Sequence, residues 1–146
     1  MKAAVFHAIK DVRLEEAEIP RIKSDEVLVR VRAALTCGTD RKMYLRGHPL
    51  FTPPFVFGHE FAGEIVKLGS KVKDFQEGTR VVAANSAPCN HCYYCKIGQQ
   101  SMCENITLRL SGAFAEYVEV LGPITNQNLL EIPTHLSYKE AASILP

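Results

Sequence analysis

Four of the chain's five cysteines fall within one short array, Cys89-x2-Cys92-x2-Cys95-x7-Cys103. Four thiolates at such spacings satisfy a tetrahedral zinc ion completely and leave no position for water, which is the pattern of a structural site. Soft sulfur suits zinc, the x2 spacings let turns bring sulfurs to one ion, and Lys96 to Met102 loops out to return Cys103. Residues 86–105 are therefore expected to form a zinc-stapled lobe with Cys89, Cys92, Cys95 and Cys103 as ligands. His91 is expected to be a bystander, and Tyr93 and Tyr94 to pack over the lobe rather than stack on bases. The fifth cysteine, Cys37, stands alone upstream, followed later by Gly58-His59-Glu60. That separation suggests a second, open zinc site with room for a substrate. Taken by themselves, a lone cysteine is more often a small buried hydrophobe, and a lone histidine a satisfied core residue.

The alternative for the cysteines is a disulfide framework. The amino-terminal Met1 to His7 runs soon into Lys10, Asp11 and Arg13, and has no apolar core long enough for a signal peptide. No stretch reaches the ~18 apolar residues of a membrane span. A cytoplasmic location follows as the expectation, and cytoplasmic thiols stay reduced, so CxxC spacing favours metal. The sequon Asn105-Ile106-Thr107 is discounted on the same ground. With 17 basic and 16 acidic residues spread along the chain, neither a nucleic-acid nor a membrane surface is expected. Lys96 is the only basic side chain between Cys89 and Cys103, against the nucleic-acid binders that also use four-cysteine modules. The 146 residues fit one domain with a real core.

The pattern along the chain is mainly β. Residues 26–32 alternate, with Val27, Val29 and Val31 on one face and Arg30 and Arg32 on the other. Residues 2–6, 12–17, 61–68, 79–83 and 113–120 read as further strands, separated in part by Gly69-Ser70 and Glu77-Gly78, with Gly122-Pro123 after the last. Short strands so spaced suggest a small barrel or sandwich. Residues 40–45 read as a short helix capped by Thr39 or Asp40. The proline- and aromatic-rich segment 47–58 is either a tucked surface loop or one wall of a substrate cleft. Ser137-Tyr138-Lys139-Glu140 matches a capping box opening a helix that the chain's end cuts short.

Cys37-Gly38-Thr39-Asp40 after a strand, Gly58-His59-Glu60-x2-Gly63-x5-Gly69-x2-Val72 opening another, the cysteine array and Gly112-Ala113-Phe114-Ala115-Glu116-Tyr117 together resemble the zinc-dependent medium-chain alcohol dehydrogenases, especially the polyol and threonine dehydrogenase branch. The resemblance implies a GroES-like, partly open β-barrel catalytic domain over residues 1–135. Residues 136–146 would then begin a helix leading into an absent Rossmann domain that binds NAD or NADP. It implies a catalytic zinc on Cys37 and His59, with Glu60 able to enter or leave its coordination. Asp40 would fix the histidine tautomer from behind, and Thr39 would relay the proton of a small-molecule alcohol or carbonyl substrate. The full-length parent is expected to be a homo-oligomer.

Three features depart from a complete enzyme. No GxGxxG occurs among the nine glycines, so the dinucleotide-binding unit is missing and the chain alone is expected to be inactive. Polyol-type relatives often supply a third zinc ligand from a Glu-Pro pair where this chain has Leu145-Pro146. Either Glu60 fills that gap, or a residue beyond Pro146 does, or the site is weak. Many relatives also carry a histidine where this chain has Lys42, which leaves the outer proton path open. The competing readings are a zinc-stapled binding module without catalysis and a chaperonin-like co-factor with the same barrel. Tyr44, Phe51 and Phe57 are candidate walls of a partly apolar cleft.

Overall fold

The computed structural model describes residues 1–108 and 111–144. Strands β1 (Lys2–Ala8) and β2 (Asp11–Glu16) form an antiparallel hairpin, and β3 (Val27–Leu35) follows. Helix α1 (Gly38–Arg46) leads to β4 (Phe55–Val56), β5 (Glu60–Leu68) and β6 (Arg80–Ala83). The cysteine lobe holds β7 (Ser86–Ala87), α2 (Tyr93–Lys96), a 3-10 turn at Gln100–Met102 and β8 (Thr107–Leu108). The chain then returns through β9 (Tyr117–Val120), α3 (Gly122–Gln127), β10 (Leu129–Glu131) and α4 (Tyr138–Ala142).

The main sheet is antiparallel, in the order β10-β6-β5-β3-β9, and a second sheet runs β2-β1-β4. Residues 112–116 sew the two together. Ala3 bridges to Ala115, Ala4 donates to the Phe114 carbonyl, Gly112 donates to the Val56 carbonyl, and Val31 donates to the Glu116 carbonyl. A segment whose main chain bonds to both sheets closes one side of a partly open barrel. The fold is thus the expected mainly β one.

Alternation explains the core. Val27 and Val29 are fully buried in one cluster with Ile65, Val81, Val118 and Ile124, while Arg30 and Arg32 face outward. Each such aliphatic side chain contributes roughly 1.5–3 kcal/mol on burial. A register shift between Val31 and Ala33 re-aims the end of β3 just before Cys37. The back of the main sheet is covered by α4, whose Ala141 and Ala142 pack with Ala62, Val82 and Ile132. Arg80 stacks over the Tyr138 ring at 4.6 Å and holds this segment down.

Several elements differ from the sequence reading. The last long strand begins at Tyr117, not 113, because residues 113–115 spend their main-chain bonds on the other sheet. Helix α3 starts at the expected break: Pro123 stands in its first turn, where its missing N–H costs nothing. The two- and three-residue strands β4, β7, β8 and β10 are too short to carry a period. Among the described residues no helix is long and apolar enough to cross a membrane.

Candidate metal centres

The four clustered cysteines converge. Their sulfurs lie within 4.8 Å of one another, with Cys89 and Cys95 Sγ 3.9 Å apart. A tetrahedral zinc with Zn–S bonds of ~2.3 Å needs sulfurs ~3.8 Å apart, so the cage is already the right size. Main-chain amides point into it: Cys92 N donates to Cys89 Sγ at 3.4 Å and Cys89 N to Cys103 Sγ at 3.2 Å. Hydrogen bonding from the His91 main chain lowers Cys89 to about 6, whereas burial pushes Cys95 up to about 12. A metal entering such a set must displace thiol protons, so its affinity rises with pH.

His91 turns away and bonds its ring to the Cys89 carbonyl at 2.8 Å, as a bystander. Tyr93 is 66% exposed and meets Tyr94 edge-on, so the two rings rest against each other rather than sealing the cage. The lobe is fastened to α3 by side-chain amides. Asn90, in a left-handed conformation at φ 59, donates to Gln127 at 2.6 Å, and Gln127 donates to the Pro88 carbonyl at 3.1 Å. Periodicity gives no hint of this clasp.

The second group assembles across the fold. Cys37 stands two residues past the end of β3 and His59 one residue before β5, and the Leu35–Glu60 pairing sets those two strand ends side by side. Cys37 Sγ lies 3.1 Å from His59 Nε2. On the far side of the ring, Nδ1 lies 3.0 Å from Asp40 Oδ1, with both side chains 1% exposed. A proton on Nδ1 donated to that carboxylate leaves the Nε2 lone pair facing the sulfur, as a metal-binding imidazole requires. Zinc bonded to sulfur and nitrogen spans ~3.6 Å between them, so a small opening of the pair admits it. Glu60 Oε1 stands 4.0 Å from Nε2, a third donor in reach. Cys37, Asp40 and His59 donor atoms all fall within 4.8 Å.

The cap of α1 differs from expectation. It is Cys37, not Thr39 or Asp40: its sulfur accepts from Thr39 N at 3.2 Å, and Asp40 Oδ2 accepts from Cys37 N at 2.9 Å. Asp40 is thus the third residue of a capping box, and Thr39 sits half-buried in that first turn. Lys42 is exposed, and Leu145-Pro146 lie outside the described residues.

Two features support this site without contributing a ligand. Met43, 1% exposed, anchors α1 against Phe6 and Phe57. Gly58 precedes His59 at φ +81, and a Cβ there would drive into the Phe114 ring. The lone signal for that contact in the sequence is the Gly-His pair itself.

The 47–58 segment tucks its phenylalanines in and leaves Pro49, Leu50, Thr52, Pro53 and Pro54 exposed. Phe51 and Phe55 stack in series onto Phe6, and Phe57 is buried. Phe57 nevertheless joins Tyr44, Val12 and Phe114 around a shallow recess of about 330 Å³ on the Asp40 side of the site.

Residues 23–134 match the alcohol dehydrogenase GroES-like domain. The chain is 37% identical to a sorbitol dehydrogenase of Bacillus subtilis over 153 aligned residues, covering 100% of this chain and 42% of that protein. It is 39% identical to the zinc-type alcohol dehydrogenase B of Aspergillus flavus, covering 95% of this chain and 33% of that one. A solved alcohol dehydrogenase of Escherichia coli CFT073, complexed with NADH, superposes with a TM-score of 0.83 at 34% identity, covering 99% of this chain and 42% of that structure's. The chain therefore spans less than half the length of the relatives it matches. With a family match across most of its length, the chain belongs to the zinc-type medium-chain alcohol dehydrogenases as their GroES-like domain.

Proposed function

We propose that these residues are the substrate- and zinc-binding domain of an oxidoreductase that interconverts an alcohol with a ketone or aldehyde. Residues 1–135 form that domain, and 136–146 lead toward a Rossmann unit that binds NAD or NADP. The observation that carries this reading is the convergence of Cys37 Sγ, His59 Nε2 and Asp40 on one point, since a mere scaffold needs no tautomer-fixed histidine beside a thiol. The homology to dehydrogenases at 37–39% identity supports it.

Cys37 and His59 would hold the catalytic zinc, with Glu60 as a near carboxylate, and Cys89, Cys92, Cys95 and Cys103 the structural one. Zinc bound at the open site supplies Lewis acidity, lowering the pKa of a hydroxyl it holds, and a nicotinamide supplies the hydride acceptor. The protein residues manage the proton and the geometry. The Thr39 hydroxyl both accepts and donates, so it can take the substrate proton and pass it outward. Asp40 would hold the His59 proton on Nδ1 and leave Nε2 directed at the metal position. Because the nicotinamide comes with the cofactor unit, residues 1–146 alone are expected to transfer no hydride. A cage of free thiols requires a reducing compartment, which keeps the cytoplasm as the expected location.

Metal analysis tests this reading. Two zinc ions per chain are expected, falling to one in Cys37→Ser and in His59→Asn. A wild-type chain that takes up one zinc, held by the lobe, under saturating conditions would leave a stapled binding module instead. In the complete enzyme, Thr39→Val should keep both zincs and lose at least a hundredfold in turnover, the scale of general acid–base assistance.

A further inference from the structure

Capping boxes ordinarily place Glu or Gln at the third helical position, because the longer side chain reaches back comfortably to the cap amide. Helix α1 has aspartate there. Its carboxylate is divided between two partners: Oδ2 takes the Cys37 amide at 2.9 Å and Oδ1 takes His59 Nδ1 at 3.0 Å. Cys37 is divided as well, since its sulfur lies on the His59 ring at 3.1 Å while it accepts the Thr39 amide at 3.2 Å. The four bonds form a closed circuit through one helix terminus and one ring. The Asp40 and His59 side chains are 1% exposed, so water cannot substitute cheaply for a lost partner.

We propose that Asp40 is a positioning residue that couples the first turn of α1 to the open metal site, so that metal binding and ordering of that turn are one cooperative step. This rests on the functional reading of Cys37 and His59 given above. By linkage, whatever binds only the ordered turn must stabilise it, and whatever frays the turn must weaken binding by the same factor. The consequence reaches substrate, because Thr39 lies within the coupled turn. Its hydroxyl becomes correctly placed when the site is loaded.

The experiment uses the full chain with its lobe already filled with zinc, titrated with cobalt(II), whose visible spectrum reports ligands at the open site. Hydrogen exchange over residues 37–46 is followed in parallel. In the wild type, loading should slow exchange of the Thr39, Asp40 and Arg41 amides at least tenfold and leave β3 and β5 amides unchanged. Asp40→Glu restores the usual capping-box side chain but cannot keep both bonds. Its metal-free exchange should match the wild type, while cobalt affinity falls 10–100-fold, the range for a lost outer partner of a metal-bound histidine. Asp40→Asn has one acceptor oxygen for two donors, and should lose both protection and affinity.

Cobalt binding with no change in exchange at 37–46 in the wild type would overturn the coupling and leave the metal site standing. So would Asp40→Glu binding cobalt as the wild type does. Absence of any cobalt spectrum attributable to one thiolate and one imidazole in the wild type would overturn the coupling together with the functional reading. Because the wild-type exchange measurement decides the matter by itself, a variant that fails to fold does not shield the proposal.

Discussion

The two candidate metal centres are built in opposite ways. The lobe takes all its donors from one stretch of chain, Cys89 to Cys103, and has little core: its Tyr93, Ile97 and Met102 are 66%, 49% and 58% exposed. The Cys37–His59 site takes its donors from a helix terminus and from the residue before a distant strand, and rests on Met43, Phe6 and Phe57. A donor set closed within one short stretch is expected to need its metal in order to fold, whereas a site assembled from distant segments needs the fold in order to bind metal. Local closure yields a staple, and convergence of distant segments yields a position that can be left open on one side.

That contrast is broken most sharply at the lobe. Removal of zinc by chelation, or Cys103→Ser, should unfold residues 86–108, since zinc binding to such a set is worth ~10–16 kcal/mol. Exchange protection should vanish there while amides of β3 and β5 keep theirs. A lobe that stays protected without metal would show that the clasp of Asn90 and Gln127 carries it. The reverse case is Met43→Ala. Truncating this buried side chain should cost about 2–5 kcal/mol and lower metal uptake at Cys37 and His59, with the lobe's zinc untouched. Chemical denaturation and metal counts check both halves.

Gly58→Ala refines the same point at a single residue. The added methyl meets the Phe114 ring, and the left-handed backbone resists any side chain, so a loss of about 2–3 kcal/mol is expected. His59 should shift with it, so the cobalt spectrum should weaken beyond what stability alone explains. The smallest effect serves as a control away from both sites. Ser137→Ala removes the α4 cap and should cost about 1 kcal/mol without moving either metal count. Hydrogen bonds from Ser137 hold the Glu140 carboxyl below its ordinary value of 4.5. A depressed folded pKa contributes stability that is fully present above that ordinary value and is lost as pH falls through the folded one. Thermal unfolding between pH 7 and pH 3 should therefore show the wild-type advantage over Ser137→Ala shrinking toward acid.

Much of this was legible in the residues, and the reasons are physical. Alternation placed β3 and β5 because a strand's two faces meet different solvents, and Val27 and Val29 had to go inward. Ser137 to Glu140 announced a capping box because both bonds are local. The cap at Cys37 was missed for the complementary reason: sulfur is an uncommon cap acceptor. Strand β9 was overextended because residues 113–115 look like strand but bond to another sheet.

By itself the sequence determined the lobe and its four donors, since a metal cage closed within a single short stretch needs no information from elsewhere. It also determined the longer strands β1, β2, β3, β5 and β6, whose patterns are local. Tertiary structure alone decided that Cys37 and His59 meet, that Asp40 serves both at once, and that Gly58 and Met43 hold the meeting point in place. Those relations depend on strand register and helix seating, which are set by the packing of residues far apart in the chain. No window of sequence contains them.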